Sequence, residues 1–219
     1  AKRGWSVFPC HTPTLLDEPQ RFTREVKAET QEITAAVICS CQDSAFCDSK
    51  GKHPRTLHGV KDATTDESTI RNWWRRWPDA NVGLATGDPS GVDVLDVDGT
   101  EGEKTLETLQ QKHGQIPPTL VQLTGGGGLH FVFQKSPVPL KNQVKFAPGL
   151  DVRTTGGLII VDPSLQESGN EYKWQDFDIE PAPMPKWLID LIPKRDEPKP
   201  PSQATPTDGK IAKGQRNQT

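Results

Sequence analysis

The stretch Val92-Asp93-Val94-Leu95-Asp96-Val97-Asp98-Gly99-Thr100 decides how this chain is read. Val92–Val97 reads as a strand that ends in acidic residues, and Thr100 opens a helix. Thr100 and Glu103 have capping-box spacing, Leu106 and Leu109 share a face, and Gly114 is the stop signal. Residues i and i+2 of an extended strand point to one side, so Asp96 and Asp98 present two carboxylates together. Such a pair is unfavourable unless a cation or a proton lies between the charges. Hard oxygen donors of this kind suit Mg²⁺ or Mn²⁺. The plain alternative is a solvated strand end followed by a glycine turn.

Before this strand, residues 4–10 (GWSVFPC) read as a short strand, and residues 11–60 as a polar, turn-rich segment. In DESTIRNWWRRW (66–77), Ile70, Trp73, Trp74 and Trp77 make one helical stripe, with Thr65 or Asp66 as cap and Pro78 as terminator. Arg71, Arg75 and Arg76 fall on the solvated side of that helix. Asn81–Thr86 reads as the next strand. Beyond Gly114, strands are expected at Leu120–Thr124, Leu129–Gln134 and Leu158–Val161, with the four glycines 125–128 as a tight turn between the first two. A short helix is expected over Pro185–Ile192. Residues 196–210 are Pro-rich and polar, as in a linker. Hairpin-like strands with two or three helices laid against them indicate an α+β fold rather than a regular βαβ array.

Three further motifs bear chemistry. Thr124-Gly125-Gly126-Gly127-Gly128-Leu129-His130-Phe131 lacks the Gly-Lys-Ser/Thr of a P-loop. Its glycines still let backbone N–H groups approach a phosphate, and strand alternation sets His130 on the side opposite Leu129 and Phe131. In Gly149-Leu150-Asp151-Val152-Arg153, Asp151 and Arg153 share a strand face. Cys39-Ser40-Cys41-x5-Cys47-x5-His53 offers three thiolates and an imidazole, the ligand types of a closed structural zinc site. The tight Cys-x-Cys start leaves Cys10 or His11 as substitutes for Cys39. A metal would order a segment too polar to build a core of its own.

The bulk properties are permissive. The chain has 219 residues, of which 32% are hydrophobic, with 26 basic against 29 acidic side chains for a net charge of -3. That balance makes no global case for a nucleic-acid partner, so any such case rests on local sites. No apolar run approaches bilayer-spanning length and no signal-peptide core is present, so a soluble, cytoplasmic protein with no membrane partner is expected. Four cysteines, three of them within nine positions, favour metal binding over disulfides in that setting.

Asp-x-Asp-Gly-Thr also resembles the first motif of the haloacid-dehalogenase phosphatases, in which the first Asp is the nucleophile. The downstream acidic pair that family needs is not found after Asp98.

Taken in order, GWSVFPC, GKHPRTLHGVKDATTD, IRNWWRRWPDANVGLATG, VLDVDG, TGGGGLHFVF and PGLDVRTTGGLIIVDPS resemble the bifunctional primase-polymerase domain of the archaeo-eukaryotic primase superfamily, found in plasmids, phages and related mobile elements. The match runs over roughly residues 4–165. The resemblance implies a primase-type catalytic core, an RRM-like mixed sheet plus a small α/β N-terminal unit, over residues 1–195, with a zinc-binding insert at about 37–55. It implies a template-dependent nucleotidyltransferase, a DNA primase/polymerase that adds nucleoside triphosphates to a 3′-hydroxyl. Asp96, Asp98 and Asp151 would bind two catalytic Mg²⁺ or Mn²⁺ ions and His130 would contact the triphosphate. Many relatives carry a Cys/His zinc insert ahead of the Gly-Lys-His-Pro segment, as here. Arg153, Lys52 and Arg55 are further candidates for contacts with nucleotide or template. The partners implied are single-stranded or primed DNA and dNTP or NTP, with the fragment a monomer. The tail at 211–219 resembles the opening of a small helical domain, and the resemblance implies a helicase region further on in a longer protein. A metal-dependent phosphohydrolase and an idle nucleic-acid-binding domain of the same fold are the alternatives; the intact Asp96, Asp98, Asp151 and His130 speak against the second.

Overall fold

The computed structural model describes residues 2–195; the expected linker at 196–210 and the tail at 211–219 lie outside them. Two sheets packed face to face organise the chain. The smaller has three antiparallel strands in the order β1 (Val7–Cys10), β4 (Asn81–Ala85), β10 (Leu158–Val161). The larger has seven: β11 (Lys173–Trp174), β6 (Leu120–Leu123), β7 (Leu129–Gln134), β5 (Val92–Val97), β9 (Leu150–Arg153) and β8 (Gln143–Ala147) in that order, with β12 (Ala182–Pro183) parallel to β7. Helices α2 (Gly99–His113) and α3 (Lys186–Leu191) cover the outer face of the larger sheet. The fold is mixed α+β.

Period-2 alternation sorts the side chains of β5 into two cores. Leu95 and Val97 join Phe133, Leu150 and Val152 under Leu106 of α2 and Leu188 of α3. Val92 and Val94 join Leu120 and Val132 on the other face, against Leu84, Ile159 and Val161 of the smaller sheet. Each such aliphatic side chain contributes on the order of 1.5–3 kcal/mol by its burial. Asp96 lies on the inner face, in the same row as Val94, where the space between the sheets opens.

Helix α1 (Glu67–Arg76) starts as expected, with the Asp66 carboxylate accepting from the Thr69 amide at 2.7 Å. Its stripe of Ile70, Trp73, Trp74 and Trp77 is only half buried. Trp73 packs on the core beside Phe8, and the Trp74 indole donates to the Ala80 carbonyl at 3.2 Å.

Two expectations fail. The segment 11–60 is not uniformly turn-rich: β2 (Pro13–Val26) and β3 (Glu29–Cys39) form a long antiparallel hairpin. Its tight turn uses Lys27 and Ala28 at φ 52° and 64°, without the Asn or Gly that announces such a turn in sequence. Most of its side chains are exposed on both faces, which hides the apolar alternation. The Thr100/Glu103 capping box does not form either. Helix α2 begins one residue earlier, at Gly99, with Asp98 in the cap position and its carboxylate making no cap bond.

Candidate active site

A cleft of about 490 Å³ opens between the two sheets. Asp96, Asp98, His130, Arg153 and Lys52 line it, with Thr124, Gly126 and Gly128 of the glycine turn and Gly156–Ile160 along the opposite wall. The β5 register sets its floor. Asp96 pairs with His130 on β7 at one side and with Asp151 on β9 at the other. Residues distant in the chain are thereby neighbours on one face.

Asp98 arrives by a different route. It lies beyond β5, where its amide donates to the Gly149 carbonyl at 2.8 Å and its own carbonyl accepts from Gly102 at 3.1 Å. Gly102 and Gly149 touch: a Cβ on Gly102 would stand 2.3 Å from the Gly149 carbonyl oxygen, and one on Gly149 2.3 Å from the Gly102 nitrogen. Only glycine at both places lets the first turn of α2 lie on the β8–β9 turn. That contact swings Asp98 toward the strand pair, and carboxylate oxygens of Asp96, Asp98 and Asp151 come within 4.8 Å of one another.

The electrostatics of the trio are uneven. Asp96 is held below the ordinary carboxylate value: burial opposes its charge, but the His130 imidazole, Arg153 and Lys52 outweigh it. The His130 Nε2 is 3.4 Å from Asp96 Oδ1. Asp98 is raised by burial and then by the charges of Asp96 and Asp151. Asp151 accepts from the Lys145 amide at 2.6 Å and from Arg153 Nη2 at 2.5 Å, and the same guanidinium lies 3.8 Å from Asp96. Three carboxylates in mutual repulsion and with oxygen-only donors are a donor set that fits hard divalent cations.

The sulfur cluster also assembles. Single donor atoms of Cys39, Cys41, Cys47 and His53 lie within 4.8 Å of one another, with His53 Nε2 at 3.4 Å from Cys39 Sγ and 3.5 Å from Cys47 Sγ. Burial pushes Cys47 up to about 12 and His53 down, the latter toward the neutral form that ligates. Cys39 is held low against its burial by the Gly51 and Cys41 amides and the neighbouring thiols. The donor set fits a tetrahedral soft-metal site. Neither substitute for Cys39 joins it. Cys10 is buried with Phe8, Ala85 and Ile160, and desolvation raises its thiol to about 12. His11 stacks on the His53 ring at 4.4 Å between centroids, its Nδ1 3.0 Å from the Ser40 hydroxyl.

Lys52 and Ser49, on the turn between Cys47 and His53, reach the cleft wall. Arg55 does not. Its guanidinium donates to the Cys10 carbonyl and to the Thr12 and Ser40 hydroxyls, tying the insert to β1, so its expected part in nucleotide or template contact is not supported. Gln122, Asn142 and Tyr172 belong to none of the sequence motifs, yet Asn142 and Tyr172 line the cleft and Gln122 lies 2.9 Å from His130 Nδ1. Gln122 carried a signal, since it falls on the inward row of an apolar strand, two residues from Leu120.

Among the described residues no helix is long and apolar enough to cross a membrane. No curated protein matches the chain at a significant level. A family model does: residues 1–187 match the bifunctional DNA primase/polymerase N-terminal domain, and the family implies a primase/polymerase nucleotidyltransferase acting on DNA and nucleotides. By the extent of that match, the chain belongs to the bifunctional DNA primase/polymerase N-terminal family.

Proposed function

We propose that the cleft catalyses template-dependent addition of nucleoside triphosphates to a 3′-hydroxyl, on an archaeo-eukaryotic primase-type core. The observation that carries this reading is the convergence of Asp96, Asp98 and the buried Asp151, where Asp96 and Asp98 line one cleft with His130, Lys52 and Arg153. The three carboxylates would hold two Mg²⁺ or Mn²⁺ ions, which when bound activate the hydroxyl and neutralise charge on the leaving oxygens. The 3′-oxygen attacks the α-phosphorus of the nucleotide and pyrophosphate leaves. The protein forms no covalent bond in this scheme, so positioning and electrostatics supply the rate. His130 donates to a triphosphate oxygen, Lys52 adds positive charge at the mouth, and Arg153 steadies Asp151 while facing the phosphates. The glycine turn at 125–128 leaves room for the nucleotide. The Cys39, Cys41, Cys47, His53 cluster would hold zinc and keep the Lys52 turn in place.

The test is extension of a primed DNA template with dNTP or NTP in Mg²⁺ or Mn²⁺. Extension supports the reading; robust hydrolysis of p-nitrophenyl phosphate with no extension would favour the phosphohydrolase instead.

A further inference from the structure

We infer that Gln122 is a positioning residue that fixes the ring proton of His130 on Nε2 and so aims a neutral N–H donor into the cleft. The inference deepens the proposed function and rests on it only for the acceptor, a triphosphate oxygen. Gln122 is wholly buried on β6. Its Nε2 donates to the Ile160 carbonyl at 2.9 Å, and its Oε1 accepts from the Asp162 amide at 2.9 Å. Both partners are backbone groups of fixed character, so turning the amide round would break both bonds. The remaining amide hydrogen meets His130 Nδ1, with the two nitrogens 2.9 Å apart. An NH₂ group of an amide has no free acceptor lone pair. The Nδ1 atom must therefore be the bare, accepting nitrogen, and the proton sits on Nε2.

That assignment matters because the ring lines the cleft with Nε2 toward Asp96. The other tautomer would turn a lone pair toward the phosphates and repel them. Gln122 belongs to the larger sheet and Ile160 to the smaller, so one side chain ties the two walls together as well as setting the proton. The donor is thus aimed only when both sheets are seated.

The experiment is ¹⁵N-histidine NMR of the full chain at neutral pH, with steady-state dNTP extension on a primed template. The wild-type His130 should show an unprotonated Nδ1 and a protonated Nε2. Gln122→Glu places a carboxylate at Nδ1, which should move the proton there and raise the dNTP KM about tenfold, the loss of one hydrogen bond to a charged group, with a smaller change in kcat. In a His130→Gln background, where an amide N–H stands in for Nε2–H, the same substitution should raise KM far less; a merely structural Gln122 would damage both backgrounds alike. A protonated Nδ1 in wild type, an unmoved tautomer in Gln122→Glu, or equal effects in the two backgrounds overturns the inference. The wild-type spectrum decides even where a variant does not fold. Nε2–H without any use of dNTP leaves the tautomer assignment standing and sinks the proposed function.

Discussion

Asp96 and Asp151 face each other directly across the β5–β9 ladder, while His130 faces Asp96 across the β5–β7 ladder. Like charges opposite one another weaken a sheet. The arrangement offsets that cost with Arg153, which reaches both carboxylates, and with His130.

Asp96→Asn and Asp151→Asn should each cut primer extension by about 10³-fold, equivalent to several kcal/mol of lost transition-state stabilisation. Circular dichroism should remain that of the wild type, because neither residue fills a core. Normal extension by either variant would refute the assignment of the trio.

Asp98 is destabilising when charged, because burial and its two acidic neighbours raise it. A raised carboxyl contributes stability that is present below the unfolded value and lost as pH rises through the folded one. In chelator at pH 7, Asp98→Asn should therefore melt slightly higher than wild type, the effect being small because Asp98 is solvent-exposed. The gap should close as pH falls below the ordinary carboxylate range. It should also close on adding Mn²⁺, which only the wild type fully exploits. Differential scanning fluorimetry across pH reads both.

Asp66 behaves in the opposite sense. Hydrogen bonds from Thr69 and Ser68 lower it to about 2, so its capping contribution is present above the unfolded carboxyl value and is lost as pH falls through about 2. Asp66→Ala should lower Tm at pH 7 by about 3 °C, and Asp66→Asn by less. The deficit should begin to shrink near pH ~4, where the unfolded carboxyl takes up its proton, and vanish below about 2, where the cap itself does.

Lys52 stands one residue before His53, so occupancy of the sulfur cluster should be felt in the cleft. Stripping zinc, or Cys47→Ser, should lower Tm and raise the nucleotide KM. Lys52→Ala should raise KM about tenfold with Tm unchanged, as loss of one charged phosphate contact predicts. Metal analysis of reduced protein should find one zinc per chain; a chain that keeps its Tm and KM in strong chelator would contradict the coupling.

Gly102→Ala should be far more harmful than its place on a helix suggests, since the added methyl meets the Gly149 carbonyl. The first turn of α2 must lift, carrying Asp98 away from Asp96 and Asp151. A fall in Tm of several degrees, together with extension lost to about 10²-fold or more, is expected. An active, fully stable variant would show that Asp98 is placed by something else.

The sequence by itself determined the local elements whose patterns are self-contained. Val92–Val97 and Leu129–Gln134 match their expected bounds because each apolar run follows a glycine and ends at polar residues, which leaves few other readings. The Asp66 cap, the pairing of chemistry types in Asp96, Asp98, Asp151 and His130, and the Cys/His set were legible for the same reason: they are properties of residue type and spacing. The Lys27-Ala28 hairpin was not, because its backbone conformation is imposed by strand pairing on residues that do not prefer it. Only the tertiary structure decided how those acids meet. Register across β9, β5 and β7 brings Asp151 and His130 to Asp96, and the Gly102–Gly149 contact turns Asp98 toward them. It alone separated Cys39 from Cys10, sent Arg55 to brace the insert, and set Gln122 between the sheets. Those outcomes depend on long-range pairing and packing, in which each residue's role is fixed by partners the local sequence does not contain.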